Sequence, residues 1–113
     1  MAIIIGRGPF SKEDFKKARE DYESYIKLTI DLKNEIVAMG GEYHADAEKE
    51  LLERGSAQED IWGGGINLET KTIETNAIIN LRSGTNDSTE ILDQSKRDKF
   101  LAIAKRILEN YVA

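Results

Sequence analysis

YIKLTIDLKNEIVAM, residues 25–39, decides the fold. From Tyr25 to Leu32 it alternates, with Ile26, Leu28, Ile30 and Leu32 on one side of an extended chain. Tyr25, Lys27, Thr29 and Asp31 fall on the other. A period of two predicts a strand with one apolar face. Lys33-Asn34 then reads as a two-residue turn into a second strand over Glu35 to Met39, which makes a β-hairpin.

Upstream, Ala2 to Ile5 reads as a short strand ended by Gly6 and Gly8. Ser11 and Asp14 then form a capping box that starts a helix, with Phe10 stapled onto Phe15, and Phe15, Ala18 and Tyr22 make its apolar face. Downstream, Gly40-Gly41 breaks the hairpin, and a helix runs until Gly55 stops it. A second hairpin is expected from Ile61 to Leu68 and from Thr72 to Arg82, with Glu69-Thr70-Lys71 between. Its return strand would place Ile73, Thr75, Ala77, Ile79 and Leu81 on one face. Gly63-Gly64-Gly65 suggests a bulge, or a place where something comes close to the backbone. Ser83 to Glu90 is a polar loop. Ser95 with Asp98 reads as the cap of a last helix whose stripe is Phe100, Ala104, Ile107 and Tyr111. The order β-α-β-β-α-β-β-α describes one α+β domain over residues 1–113. Its antiparallel or mixed sheet carries the helices on one face, because each strand reads as apolar on one side only.

The 113 residues are 40% hydrophobic and 33% charged, ordinary for a globular domain, with a net charge of −5. That acidity, with no basic run to offset it, argues against a nucleic-acid partner. The absence of cysteine excludes disulfides, thiolate catalysis and Cys-ligated metal centres. The opening MAIII is too short for a signal peptide or a membrane span, so a cytoplasmic protein with no membrane partner is expected. Asn86-Asp87-Ser88 fits the glycosylation sequon, but with no secretory signal it reads as a chance match.

The chemistry-bearing stretch is GGEYHADAEKELLERGS, residues 40–56, which holds the only histidine. On a helical wheel Leu51, Leu52, Ala47 and Ala45 define the apolar stripe, and His44 and Glu48 fall inside it, one turn apart. The helix thus aims an imidazole and a carboxylate inward. As a structural pair they would hydrogen-bond to each other or to Arg82. As a functional pair they would line a pocket floored by the sheet, with Trp62 and the glycine run at its rim. Arg82 opens RSGTNDS, whose glycine, hydroxyls and amides could cradle an anion and are also ordinary turn formers. His44 and Glu48 supply two metal ligands, with Asp31, Glu35 or Glu42 as further oxygens. The two-histidine helix motif is absent, and no metal or cofactor is expected. Ser56 or Ser83 with His44 would make a hydrolytic triad only with a strand–Ser–helix elbow, which is missing.

Over nearly the whole domain, and most specifically in its middle segment, the chain resembles a small family of uncharacterised prokaryotic proteins known only as a domain of unknown function. The pattern Gly-Gly-Glu-x-His-Ala-Asp-Ala-Glu falls on Gly40, Gly41, Glu42, His44, Ala45, Asp46, Ala47 and Glu48. Leu-Leu-Glu-x-Gly-Ser-x-Gln falls on Leu51, Leu52, Glu53, Gly55, Ser56 and Gln58, and Trp-Gly on Trp62 and Gly63. An Ile-Asn-x-Arg segment matches Ile79, Asn80 and Arg82. The family follows that arginine with a proline and a glycine-asparagine-arginine stretch. Here Ser83 and GTNDS stand instead, which weakens an anion-binding role for the loop. The resemblance implies no activity or cofactor.

The reading that follows is a binding domain for a small polar or anionic ligand. Arg82 would pair with the ligand's charge, Trp62 would supply an apolar wall, and His44 and Glu48 would orient it. An enzyme variant makes His44 a general acid–base held by Glu48. The alternative is a non-catalytic interaction module. Its open sheet face, carrying Tyr25, Thr29, Val37, Met39 and Ile78, would seat a second copy or another protein.

Overall fold

In the computed structural model, which describes residues 2–111, the hairpin forms between β2 (Tyr25–Asp31) and β3 (Ile36–Gly40). Asp31 pairs with Ile36, so the connection is the four residues 32–35 rather than a two-residue turn. The Asp31 carboxylate shapes it by accepting from the Asn34 backbone N–H at 3.0 Å and from Asn34 Nδ2 at 2.9 Å. Glu35 closes the loop at φ 56°. The second hairpin, β4 (Ile61–Asn67) to β5 (Thr72–Glu74), repeats the device. Asn67 pairs with Thr72, its Oδ1 accepts from the N–H groups of Glu69 and Thr70, and Lys71 turns at φ 58°. An Asx side chain at the last paired position organises both loops, and the leucine after it, Leu32 or Leu68, turns into the core.

With β1 (Ile3–Gly6) the strands form one five-stranded antiparallel sheet in the order β1-β3-β2-β4-β5. The α+β class and the antiparallel sheet follow the sequence reading; the placement of the helices differs from it. Ile26, Leu28 and Ile30 of β2 join Val37, Met39, Trp62 and Ile66 in the main core. It is closed by Phe15 and Ala18 of α1 (Lys12–Ala18) and by Phe100, Ile103, Ala104 and Ile107 of α3 (Gln94–Glu109). A second, smaller core holds Ala38 and Ile61 with Ile3, Ile5 and Ile36 packed around them, and α2 (His44–Glu53) covers it with Ala47 and Leu51. The helices therefore lie on both faces. The reason is written in β1 and β3, whose Ile3-Ile4-Ile5 and Ile36-Val37-Ala38-Met39 runs are apolar on both sides and need two covers. The open sheet face expected for a partner is thus not a surface: Val37 and Met39 belong to the main core, and Thr29 is fully buried.

The helix starts obey capping rules. Ser11 Oγ accepts from the Asp14 N–H at 3.0 Å while Asp14 Oδ2 accepts from the Ser11 N–H at 2.9 Å, and the Phe10 and Phe15 rings meet edge-on at 6.4 Å. At α3 the cap is Asp93, accepting from the Lys96 N–H at 2.9 Å, rather than Ser95. The largest departure is β5. Its pairing with β4 ends at Glu74, and Ile78–Asn80 winds into a 3₁₀ turn, so the expected one-faced strand over 72–82 does not form. Ile73 packs on the main core and Ile79 on the smaller one, while Ile78 and Leu81 are exposed. Two buried asparagines replace the missing ladder. Asn80 accepts from the Gly63 N–H and donates back to the Gly63 carbonyl, pairing with the β4 edge as a strand would. Asn86 Nδ2 lies within 2.9 Å of the carbonyls of Asn80, Ser88 and Glu90, and its Oδ1 accepts from the Leu92 N–H.

Candidate functional site

His44 is the first residue of α2, and Tyr43 before it makes no side-chain cap bond. The imidazole lies over the glycine run of β4, with Nε2 2.7 Å from the Gly64 carbonyl oxygen. A carbonyl only accepts, so Nε2 carries the proton and donates; in the neutral ring Nδ1 then holds the lone pair. Burial and the nearby charge of Lys27 push the His44 pKa below its usual value, against the pull of the Gly64 carbonyl. His44 is therefore neutral at pH 7.

The glycines explain this close packing. The β2–β4 register runs unbroken from Tyr25 opposite Asn67 to Asp31 opposite Ile61, so there is no bulge. A Cβ on Gly63 would stand 2.7 Å from the Ala77 side chain, 3.0 Å from His44 Cδ2 and 3.1 Å from Ile79. On Gly64 it would run into the Glu74 carbonyl and the Phe100 ring, and on Gly65 into the Tyr25 phenol. Something does approach this backbone closely, and it is the protein itself.

The wheel put His44 and Glu48 side by side, but the structure gives them different partners. Glu48 faces the charge of Arg82. Burial raises its pKa, and the guanidinium draws it back only in part. The orienting group of His44 is the Gly64 carbonyl, so a Glu48-oriented imidazole is not what the fold builds. Arg82 is a strut. Its guanidinium lies 4.0 Å from the Trp62 ring centroid and donates to the backbone carbonyls of Ile61, Ile79 and Glu59. Those carbonyls lie at or beside the start of β4 and at the 3₁₀ turn, where no ladder continues. Trp62 is 3% exposed in the main core, and its indole N–H donates to Glu59 O at 3.2 Å.

The four residues expected in one pocket are thus divided. His44 lines a groove of about 490 Å³ together with Tyr25, Lys27, Tyr43, Glu74 and Ile78. Trp62 and Arg82 line another of about 350 Å³, with Gln58, Glu59, Thr85 and Lys96. In the RSGTNDS turn, the Gly84 N–H donates to Asp87 Oδ1 at 3.1 Å. A donor suited to an anion is already answered by the turn's own carboxylate.

The model of a family described as a protein of unknown function (DUF5674) matches residues 3–107. The chain belongs to this family. No curated protein and no solved structure matches it. In this DUF5674 domain the serine after α2 is structural: Ser56 Oγ donates to Asp31 Oδ2 at 2.6 Å, away from His44, and forms no triad. Burial alone would raise the Asp31 pKa, but bonds from Ser56 and Asn34 outweigh it and hold the carboxyl below its usual range. Asn80, which sequence reasoning passed over as a strand residue, is the fully buried hinge of the whole segment. Its signal was an asparagine inside the apolar run AIINL, where a strand would rather have a β-branched or aromatic residue. Among the described residues no helix is long and apolar enough to cross a membrane.

Proposed function

We propose that the domain binds a small oxyanion in the groove at the N-terminal end of α2. The observation that carries this reading is the half-buried imidazole of His44, fixed by Gly64, in one groove with Lys27. The start of α2 supports it, since Tyr43, His44 and Ala45 line the groove and Tyr43 offers no side-chain cap. Glu74 opposes a full negative charge, and it is partly occupied by accepting from the Tyr25 hydroxyl at 3.2 Å. Lys27 supplies a charged donor, and the His44 lone pair an acceptor. A ligand with an anionic oxygen beside a hydroxyl, such as a hydroxycarboxylate or a protonated phosphate, answers both.

The test follows the His44 imidazole resonances by NMR across pH, a single assignment because the chain has one histidine. Without ligand the midpoint should lie below about 6.5, the usual histidine value. The folded pKa is depressed, so the unfolded chain binds more protons in that window. Stability is therefore fully present above about pH 6.5 and falls as pH drops through the folded pKa. Lactate or phosphate should move the resonances saturably, and Lys27→Gln should abolish the response. An unshifted midpoint near 6.5, indifferent to both additives, rejects the reading.

A second reading, self-association, rests on Ile78, which is 81% exposed on the rim of the same groove beside Tyr43 at 60%. Sedimentation should then show mass rising with concentration in the wild type and not in Ile78→Ser, a neutral change that adds no charge beside His44. A monomer at every concentration discards it.

A further inference from the structure

A second cavity lies on the other side of the sheet, among the β1–α1 loop, the β2–β3 loop and the C-terminal half of α3. It encloses about 610 Å³. Its floor is apolar: Phe10, Ile103 and Ile107, all packed on the main core. Its mouth is cationic. Arg106 comes from α3 and Arg7 from the β1–α1 loop, with Glu35 the one carboxylate among the lining residues.

Neither arginine is committed as Arg82 is. Arg106 meets Glu35 at 3.4 Å, with the side chains 61% and 46% exposed. A long ion pair in that much water is weak and easily exchanged. Arg7 donates from Nε to the Asn34 carbonyl at 3.0 Å, which fixes its guanidinium plane; among the described residues this is its only hydrogen bond, and the terminal nitrogens keep their fork for a ligand. Apolar walls with a few convergent polar groups and a volume of this size are what small-ligand sites share. The charges at the mouth sum to +1, from Arg7 and Arg106 against Glu35. That selects an anion, and the floor selects an apolar body behind it.

We infer that this cavity is a binding site for a carboxylate carried on an apolar body, held by Arg106 and Arg7 above Phe10, Ile103 and Ile107. Glu35 is its internal competitor, occupying Arg106 until a ligand carboxylate displaces it. The site stands apart from the groove proposed above, on the opposite face of the sheet, and does not depend on it.

The test titrates hexanoate into the protein with Ile methyl groups labelled for NMR, using hexylamine and acetate as comparison probes. Hexanoate should shift the Ile103 and Ile107 methyls saturably while leaving the His44 ring unmoved. Acetate should bind far more weakly for want of the apolar body, and hexylamine should not bind. Arg106→Gln should weaken hexanoate about tenfold, and Arg7→Gln gives the same reading from a second element. Glu35→Gln should tighten binding several-fold, an outcome that a structural role for Glu35 would not give. Equal shifts from hexylamine, no saturation, affinity unchanged in both arginine variants, or weaker binding in Glu35→Gln would each overturn the assignment.

Discussion

Asn80→Leu should lower stability by about 3–5 kcal/mol, the cost of stranding several buried polar groups at once. The side chain is fully buried. Its Oδ1 accepts from the Gly63 N–H at 2.8 Å, while Nδ2 reaches the carbonyls of Gly63 at 2.9 Å, Thr89 at 2.9 Å and Thr75 at 3.3 Å. Leucine matches the volume and removes every partner. The loss is a large share of the roughly 5–15 kcal/mol that holds a domain of this size. Urea unfolding with tryptophan fluorescence measures it directly, because Trp62 adjoins Gly63. Asn80→Asp refines the prediction: it keeps the acceptor for Gly63 and loses the donors, so it should fall close to the leucine variant. If both variants stay within about 1 kcal/mol of wild type, the segment after β5 is held by something other than this amide.

The same residue shows why part of the fold could be read from sequence and part could not. Residues 25–31 and 72–82 both carry alternation, yet only the first is a strand throughout. Alternation reports which side chains can share a face; it does not report whether the backbone beside them has a ladder partner. Past Glu74 the partner of β4 is a side-chain amide, and the segment's own carbonyls at Ala77 and Ile78 accept from the Asn80 and Leu81 N–H groups inside a 3₁₀ turn. The two-sided cover was legible in Ile3-Ile4-Ile5 and Ile36-Val37-Ala38-Met39, but the polar residues of β2 hid it, because Thr29 and Asp31 look like a solvent face and are buried. The inward aim of His44 and Glu48 was legible from the wheel. Their partners were not: a backbone carbonyl such as Gly64 has no sequence signature, and neither do the three carbonyls that hold Arg82.

Gly64→Ala should be the most damaging single-methyl addition in the chain, at about 3 kcal/mol or more, the upper end of what overpacking costs. The added Cβ would overlap the Glu74 carbonyl and come within 2.7–2.8 Å of the Phe100 ring. Phe100 is fully buried in the main core, so the ring has no free direction to move. Gly6→Ala supplies the comparison. There the nearest atom is a Phe10 ring carbon at 3.7 Å and the backbone has an ordinary φ, so the change should be neutral or slightly stabilising through the unfolded state. A Gly64→Ala protein as stable as Gly6→Ala would mean that β5 yields at no cost. The double variant with Phe100→Leu then separates the two obstacles by its coupling energy. Recovery of most of the loss would place the conflict at the ring, between α3 and the sheet. No recovery would place it at the Glu74 carbonyl, where only backbone movement gives relief.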